Sequence, residues 1–363
     1  MKKYMCFSLT IIFLSLIWIG CSNTVSSGED ENTSWVFVAN EGNYGASDGS
    51  ISMIDEFGNV SETEPIGDVV QSLEVYNNKL IVLVNNSHKI KIYAITTEGL
   101  SMPGIEISTE GSGPREMVVV NGKVYFTNWI TSDVKVFNLF TYNIETSIPV
   151  GSLPEGIISD GTKLWVANSG EDTVSEIDIT SLSETRHIVG SGPQNLVKHN
   201  SDVYVSRTYY SDDWTITYHG ASRIVGTEIT INNYGSGGAC GGSVLSHQSD
   251  VYRSFDGGLA RMDTELNLEE RTIGSYNQSH IYHVEKINGN FWFAITDWDD
   301  LNEVRVVDSN GNEVASYEVG ALPGDFAVWD SCVNNGDINA DGILNVIDIV
   351  QIVDAILSDD DYF

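Results

Sequence analysis

Between residues 34 and 331 the chain is a succession of short runs in which apolar and polar positions alternate, broken by glycine-centred turns. Alternation with a period of two predicts β-strands with a buried face. One set of runs carries a central aromatic or large aliphatic residue: Val36–Asn40, Lys79–Val84, Lys123–Asn128, Lys163–Asn168, Asp202–Ser206, Asp250–Ser254 and Asn290–Ala294. A glycine-led turn recurs with the same period, at Gly67, Gly111, Gly151, Gly190, Gly235, Gly274 and Gly320, spaced by 44, 40, 39, 45, 39 and 46 residues. A third strand often follows, as in Asp133–Phe137 and Asp172–Asp178.

Two markers sharing one period of about 42 residues predict a four-stranded repeat, the blade of a β-propeller. Leucine-rich and helical repeats need a helical periodicity that this stretch lacks. With strands lettered a to d from the axis outward, the glycine turn feeds strand a and the aromatic run is strand b. The chain enters at a b strand (34–39) and leaves the repeats on an a strand (325–330). The expectation is therefore an all-β, seven-bladed propeller over 35–331, its first blade completed by the last strand so that no open edge remains.

The segment Lys163–Asp178 (KLWVANSGEDTVSEID), preceded by Gly151–Asp160 (GSLPEGIISD), resembles the YVTN-type propeller repeat of bacterial surface and secreted proteins. That resemblance implies a fold more than a function, because its residues build the blade. Asn40, Asn128 and Asn168 end b strands, where side-chain hydrogen bonds are expected to cap the b–c turn. The d–a and b–c loops share the face around the channel mouth, where propellers usually bind. Tyr44, Arg115, Trp129, Arg207, Tyr209 and Trp298 fall on that face, with Glu155 and Gln194 beside them. Rings for stacking and fixed donors for orientation suit a planar polar ligand, a sugar or a tetrapyrrole-like cofactor. Surface lipoprotein propellers similar to this type include cobalamin-capturing ones that serve outer-membrane transporters.

Catalytic signals are few. There is no nucleophile elbow, phosphate loop or zinc-finger spacing. The close pair His280 and His283 falls on a predicted a strand, where a spacing of three sends the rings to opposite sides and argues against shared metal ligation. A carboxylate pair across the channel could serve a hydrolase or lyase, but sequence does not pair residues across blades.

Met1–Tyr4 is basic and Phe7–Gly20 is an apolar run of signal-peptide length. Trp18-Ile-Gly-Cys21 resembles the bacterial lipobox, with Trp18 where that pattern usually has an aliphatic residue, so Cys21 is the expected lipidation site, plain secretion being the alternative. Residues 1–20 then form the leader and 21–34 a polar tether. Of the other cysteines, Cys240 precedes an a strand and Cys332 follows one. A strand of about five residues spans about 17 Å, whereas a disulfide needs Cα atoms within about 7 Å, so the two are expected to lie apart. The formal charge is −33, and removing a leader that carries Lys2 and Lys3 but no acid makes it −35. Such a surface repels nucleic acid and anionic membrane.

Residues 332–363 differ: seven acids, no Lys or Arg, and one helical apolar stripe. In Asp337–Asp348 (DINADGILNVID), Asp337, Asn339, Asp341, Ile343 through its carbonyl, Asn345 and Asp348 stand at the positions that ligate Ca2+ in a calcium loop, and Gly342 permits the sharp turn. A loop with an exiting helix but no entering one resembles a dockerin repeat, the module that docks on cohesin domains in polysaccharide-degrading complexes. Dockerins carry two such repeats and this chain has one. The resemblance implies calcium-dependent attachment to a cohesin-like or outer-membrane partner.

Three functions fit these readings: an exported, surface-anchored propeller capturing a glycan, a cobalamin-like cofactor or a protein; a carbohydrate-active enzyme or lyase docked through its tail; or a structural surface-layer or adhesion protein. Calorimetry tests the loop directly: Asp341→Ala is expected to weaken calcium binding at least about tenfold, and binding as tight as the parent's refutes the ligand assignment.

Overall fold

The computed structural model describes residues 34–237 and 242–331, together with positions 346 and 350. Within 34–331, twenty-eight strands, numbered β1 to β28 in chain order, form seven four-stranded antiparallel sheets. Six sheets each use four consecutive strands, starting from β4 (Val70–Tyr76), β8 (Pro114–Val120), β12 (Pro154–Ser159), β16 (Pro193–His199), β20 (Val244–His247) and β24 (Ile281–Ile287). The remaining sheet has the order β28 (Pro323–Asp330), β1 (Ser34–Asn40), β2 (Ser50–Asp55), β3 (Val60–Glu62). The strands β28, β4, β8, β12, β16 and β20 touch in succession around an axis, and β24 packs on β28. This is a seven-bladed β-propeller.

The second strand of each blade explains the arrangement. In β13 (Lys163–Asn168) every position after Lys163 is buried. Leu164 and Val166 pack toward the preceding blade, while Trp165 and Ala167 pack toward the following one. A strand covered on both sides has no polar face to preserve, so it becomes a continuous apolar run. Among the described residues seven apolar clusters result, one at each blade–blade interface, in place of a single central core. The closing asparagines are buried. The Asn40 Nδ2 donates to Ser50 Oγ at 3.0 Å and Ser52 Oγ at 2.9 Å, and Asn168 Nδ2 donates to Thr173 Oγ1 at 2.9 Å and Ser175 Oγ at 3.0 Å. They tie strand b to strand c across the turn.

The innermost strands depart from regular pairing in a consistent way. Five of them are entered from a residue with left-handed backbone, Val69, Gly113, Leu153, Gly192 and Leu322, with φ of 60, 66, 47, 67 and 56°. Glycine meets that requirement without strain. An extra residue then opposes the partner strand: the register slips between Val70 and Ser72, Pro114 and Met117, Pro154 and Ile157, Pro193 and Leu196, and Ile281 and His283, and β28 slips likewise between Pro323 and Asp325. Such β-bulges bend the strand and re-aim its side chains. Proline is tolerated at the head of these strands because a strand's first residue can forgo its ladder hydrogen bond.

Because stability resides in the interfaces, a buried truncation there is costly. Phe126 is 0 % exposed between the second and third blades, and Phe126→Ala is expected to cost about 3–5 kcal/mol. Phe57→Ala, at a site 75 % exposed, should stay within about 0.5 kcal/mol of the parent. Urea denaturation that finds equal losses at the two sites overturns this account.

Candidate functional site

Six carboxylates converge on the axial channel: Glu41, Glu74, Glu116, Glu155, Glu285 and Asp325. Five of them lie on bulged innermost strands, and Glu41 follows β1 at the start of the b–c loop. Arg115 and Glu116 are the two consecutive residues after Pro114, Glu155 follows Pro154, Tyr282 and His283 follow Ile281, and Asp325 follows Gly324 after Pro323. In a regular strand, neighbours would point to opposite faces. Beyond the bulge, ordinary alternation resumes, so Glu285 lies on the same side of β24 as His283.

At the mouth on the b–c side, side chains from four blades form one connected row. Gln71 Nε2 donates to Glu41 Oε1 at 3.3 Å, and Arg115 Nη1 donates to Gln71 Oε1. Arg115 Nε and Nη2 donate to Glu155 Oε1 at 3.2 and 2.5 Å, and the Trp129 indole donates to Glu155 Oε2 at 2.6 Å. The guanidinium carbon lies 4.2 Å from the centre of the Trp129 ring, a cation–π contact. Burial alone would lower the pKa of Arg115, but Glu155, Glu41 and Glu116 outweigh it and hold the guanidinium charged. Burial pushes Glu41 up, with Arg115 pulling the other way.

Deeper in the channel carboxylates outnumber cations, and Lys286 shares the cavity lining with four of them. The cavity, of about 380 Å³, is lined in part by Glu74, Glu116, Glu285 and Asp325. Burial, then repulsion from Asp325 and Glu285, pushes Glu74 up to about 8. Burial and Glu285 push Asp325 up to about 7, against the opposing charge of His283. Burial also raises Glu116, reinforced by Asp325 and Glu155. For His283 burial would lower the pKa, but the carboxylates of Glu285, Asp325 and Glu41 prevail and raise it. One donor atom from each of His283, Glu285 and Asp325 lies within 4.8 Å of the others, the only such metal-competent trio among the described residues.

The residues expected at the binding face separate into three groups. Arg115 and Trp129 meet in the mouth row with Glu155. Tyr44 and Trp298 stand on the rim, 80 and 55 % exposed, and Trp298 packs edge-on against Tyr282 at 5.3 Å. Tyr209 stacks on Tyr218 at 5.4 Å, beside a long hairpin that exposes Tyr210 and Trp214. Arg207 must be corrected: it is 2 % exposed, inside the fifth blade, with Nη1 donating to Ser191 O at 3.4 Å and Nη2 to Asn232 O at 2.9 Å and Asn233 Oδ1 at 2.5 Å. Buried and bonded in this way, it braces the blade instead of standing on the open face. The pair His280 and His283 does not share the strand expected for it: His280 ends a 3-10 turn and lies within hydrogen-bonding distance of Asn277 Nδ2, whereas His283 lies on β24 beside carboxylates. Sequence reasoning missed His283, Glu285, Glu74, Glu116 and Asp325. The usable signal was His283-Val-Glu285, an i, i+2 pair on one strand face. Asp337, Asn339, Asp341, Ile343, Asn345 and Asp348, the cysteines Cys21, Cys240 and Cys332, and the leader lie outside the described residues.

The raised carboxyls make stability depend on pH. In an unfolded chain Glu74 ionises near its ordinary value of 4.5 and Asp325 near 3.8. Folded, they keep their protons to about 8 and about 7. Across that window the folded state binds more protons than the unfolded one, so stability falls as pH rises. With chelator present, Glu74→Gln should flatten the decline of the thermal midpoint and exceed the parent's midpoint above pH ~8. A variant that tracks the parent throughout refutes a buried, ionisable Glu74.

No protein-family model and no curated protein sequence matches the chain. Solved structures do share its fold. A protein from Bacteroides fragilis named as a candidate 6-phosphogluconolactonase is 14% identical over 84% of this chain and 100% of its own, with a TM-score of 0.58. A second candidate 6-phosphogluconolactonase, from Bacteroides uniformis, is 13% identical over 82% of this chain and 99% of its own, with a TM-score of 0.59. AztD from Citrobacter koseri is 10% identical over 83% of this chain and 98% of its own, with a TM-score of 0.54. At such identities the likeness establishes the propeller fold and nothing about activity.

Proposed function

We propose that the protein is an exported binding propeller that captures a neutral or amine-bearing sugar at the b–c mouth of its axial channel. The observation that carries this reading is the row Glu41–Gln71–Arg115–Glu155–Trp129, held together by its own hydrogen bonds. Carboxylate and amide oxygens accept hydrogen bonds from hydroxyl groups, and charged acceptors make the stronger ones. The exposed rings of Trp298 and Tyr44 offer apolar faces to the C–H side of a sugar. An anionic ligand is disfavoured by the surplus of channel carboxylates, and the phosphorylated lactone in the names of the Bacteroides proteins is such an anion.

In this proposal the leader directs export and Cys21 carries a lipid anchor. The tail binds Ca2+ through Asp337, Asn339, Asp341, Ile343, Asn345 and Asp348, and attaches the propeller to a cohesin-like or outer-membrane protein. The lipobox-like and dockerin-like motifs support these assignments.

A calorimetric screen of residues 22–363 against neutral, amino and uronic oligosaccharides and a corrinoid tests the ligand class. A neutral or amino sugar is expected to bind and a uronic one not to. Glu155→Gln and Trp298→Ala should each weaken binding at least about tenfold. Corrinoid binding in place of sugar binding, or affinity unchanged in both variants, overturns the proposal; turnover of a bound sugar replaces capture with catalysis.

A further inference from the structure

We propose that the deep part of the axial channel is a binding site for a divalent first-row transition-metal ion, held by His283, Glu285 and Asp325. This site is separate from the sugar-binding mouth and does not rest on that reading. Two of its ligands come from β24 in the seventh blade. The third comes from β28, the strand completing the first sheet.

Backbone geometry sets the donors. His283 follows the slip in register on β24, and Glu285 is two residues further along, on the same face. The slip on β28 turns Asp325 to the axis. Three donor atoms then lie within 4.8 Å of one another. Metal bonds of about 2.0–2.2 Å place two donors on one ion about 3–4 Å apart. Rotation of the partly exposed Glu285 and His283 side chains can close that difference.

Hydrogen bonding within the trio is incomplete in a way that an ion would resolve. Glu285 Oε2 is shielded from water and has no hydrogen-bond partner. His283 Nε2 stands 3.9 Å from it, within ion-pair range but too long for a hydrogen bond. A buried acceptor left unsatisfied is costly, and the cost is larger for a charged group. Asp325, by contrast, is already oriented. Its Oδ2 accepts the Leu73 N–H at 2.7 Å and its Oδ1 accepts the Phe326 N–H at 2.9 Å. Backbone donors that fix a carboxylate while leaving its remaining lone pairs open form the outer shell typical of metal ligands.

The donor set selects the class of ion. One imidazole with two carboxylates, and no thiolate, suits Zn2+, Mn2+, Fe2+ or Co2+. Calcium and magnesium take oxygen ligands, so the imidazole discriminates this site from the tail loop. The cavity beside the trio provides access; Glu74 and Glu116 face it, offering further oxygens and, with the trio's own carboxylates, outnumbering the lining cation, Lys286. By joining β24 to β28, the ion would clamp two neighbouring blades, so binding should raise folding stability by mass action.

The test uses residues 22–363 carrying Asp341→Ala, which weakens the tail loop's own calcium site, freed of metal by dialysis against chelator. Titration with Zn2+ should give one site per chain that Ca2+ does not fill, and Zn2+ should raise the thermal midpoint. His283→Ala, Asp325→Asn and Glu285→Gln should each weaken Zn2+ at least about tenfold, since even outer-shell changes cost 10–100-fold. In the Co2+-loaded protein, His283→Ala should alter the visible absorption band, which a purely structural role for the histidine would not do. Glu285→Gln preserves side-chain shape and carries the test if a truncation fails to fold. Zn2+ affinity and Co2+ spectrum unchanged in all three variants, or Ca2+ competing equally with Zn2+, overturns the proposal.

Discussion

One irregularity, the extra residue near the start of the innermost strands, determines what the centre of this propeller can do. A regular strand would offer the axis every second residue, and the intervening side chains would be lost to the blade interfaces. The bulge presents adjacent polar residues instead, so that Arg115 and Glu116 serve the mouth row and the deeper cavity from one strand. It also brings Tyr282 and His283 toward the channel together. Six of the seven innermost strands share the irregularity. The polar channel is therefore a repeated backbone feature, with chemistry chosen blade by blade.

The blade interfaces make this possible. Each b strand buries both faces, so the apolar contacts that stabilise the ring lie away from the axis. Polar residues can then accumulate centrally without sacrificing the main source of hydrophobic burial. The same division accounts for the two buried arginines of the fifth and sixth blades. Arg207 and Arg253, each 2 % exposed, lie where a regular blade has apolar or amide side chains, and Arg207 reaches backbone carbonyls of its own blade. An arginine on a b strand thus reports on blade packing, whereas Arg115 on an a strand reports on the channel.

That distinction explains how far the sequence could be read. Blade number, strand order and the b-strand asparagines were legible because they rest on periodicity and local turn chemistry. Arg115, Trp129 and Glu155 were each expected near the channel mouth, but their joining into one row depends on contacts between blades, which no single repeat encodes. Arg207 was misplaced because its position at the end of a b strand looks like the start of a loop, whereas β17 (Asp202–Tyr210) runs three residues beyond it. His283 was dismissed on its spacing from His280, when its informative neighbour was Glu285. Asp325 was hidden in the pattern because its partners lie some 40 and 250 residues away. The residue pair after the turn's proline was the readable clue, and it requires knowing that a bulge follows.

The channel also poses an electrostatic problem that constrains any account of its role. Arg115 neutralises part of the mouth, but Glu74, Glu116, Glu285 and Asp325 share the deeper cavity with Lys286, and His283 opposes the charge of Asp325 from beside it. Carboxylates this close and this shielded cannot all ionise cheaply; protons remain on some of them well above the usual carboxylate range. A bare acidic channel is consequently destabilised by raising pH, and a group that merely filled space would gain from apolar replacement. Two kinds of species relieve the strain: protons and cations. They compete for the same oxygens, because a metal ligand must be deprotonated. The acidity of the whole chain concentrates cations around it. The axial carboxylates are the place where that long-range field acquires geometry, with an imidazole added that protons and calcium do not require but a transition metal does.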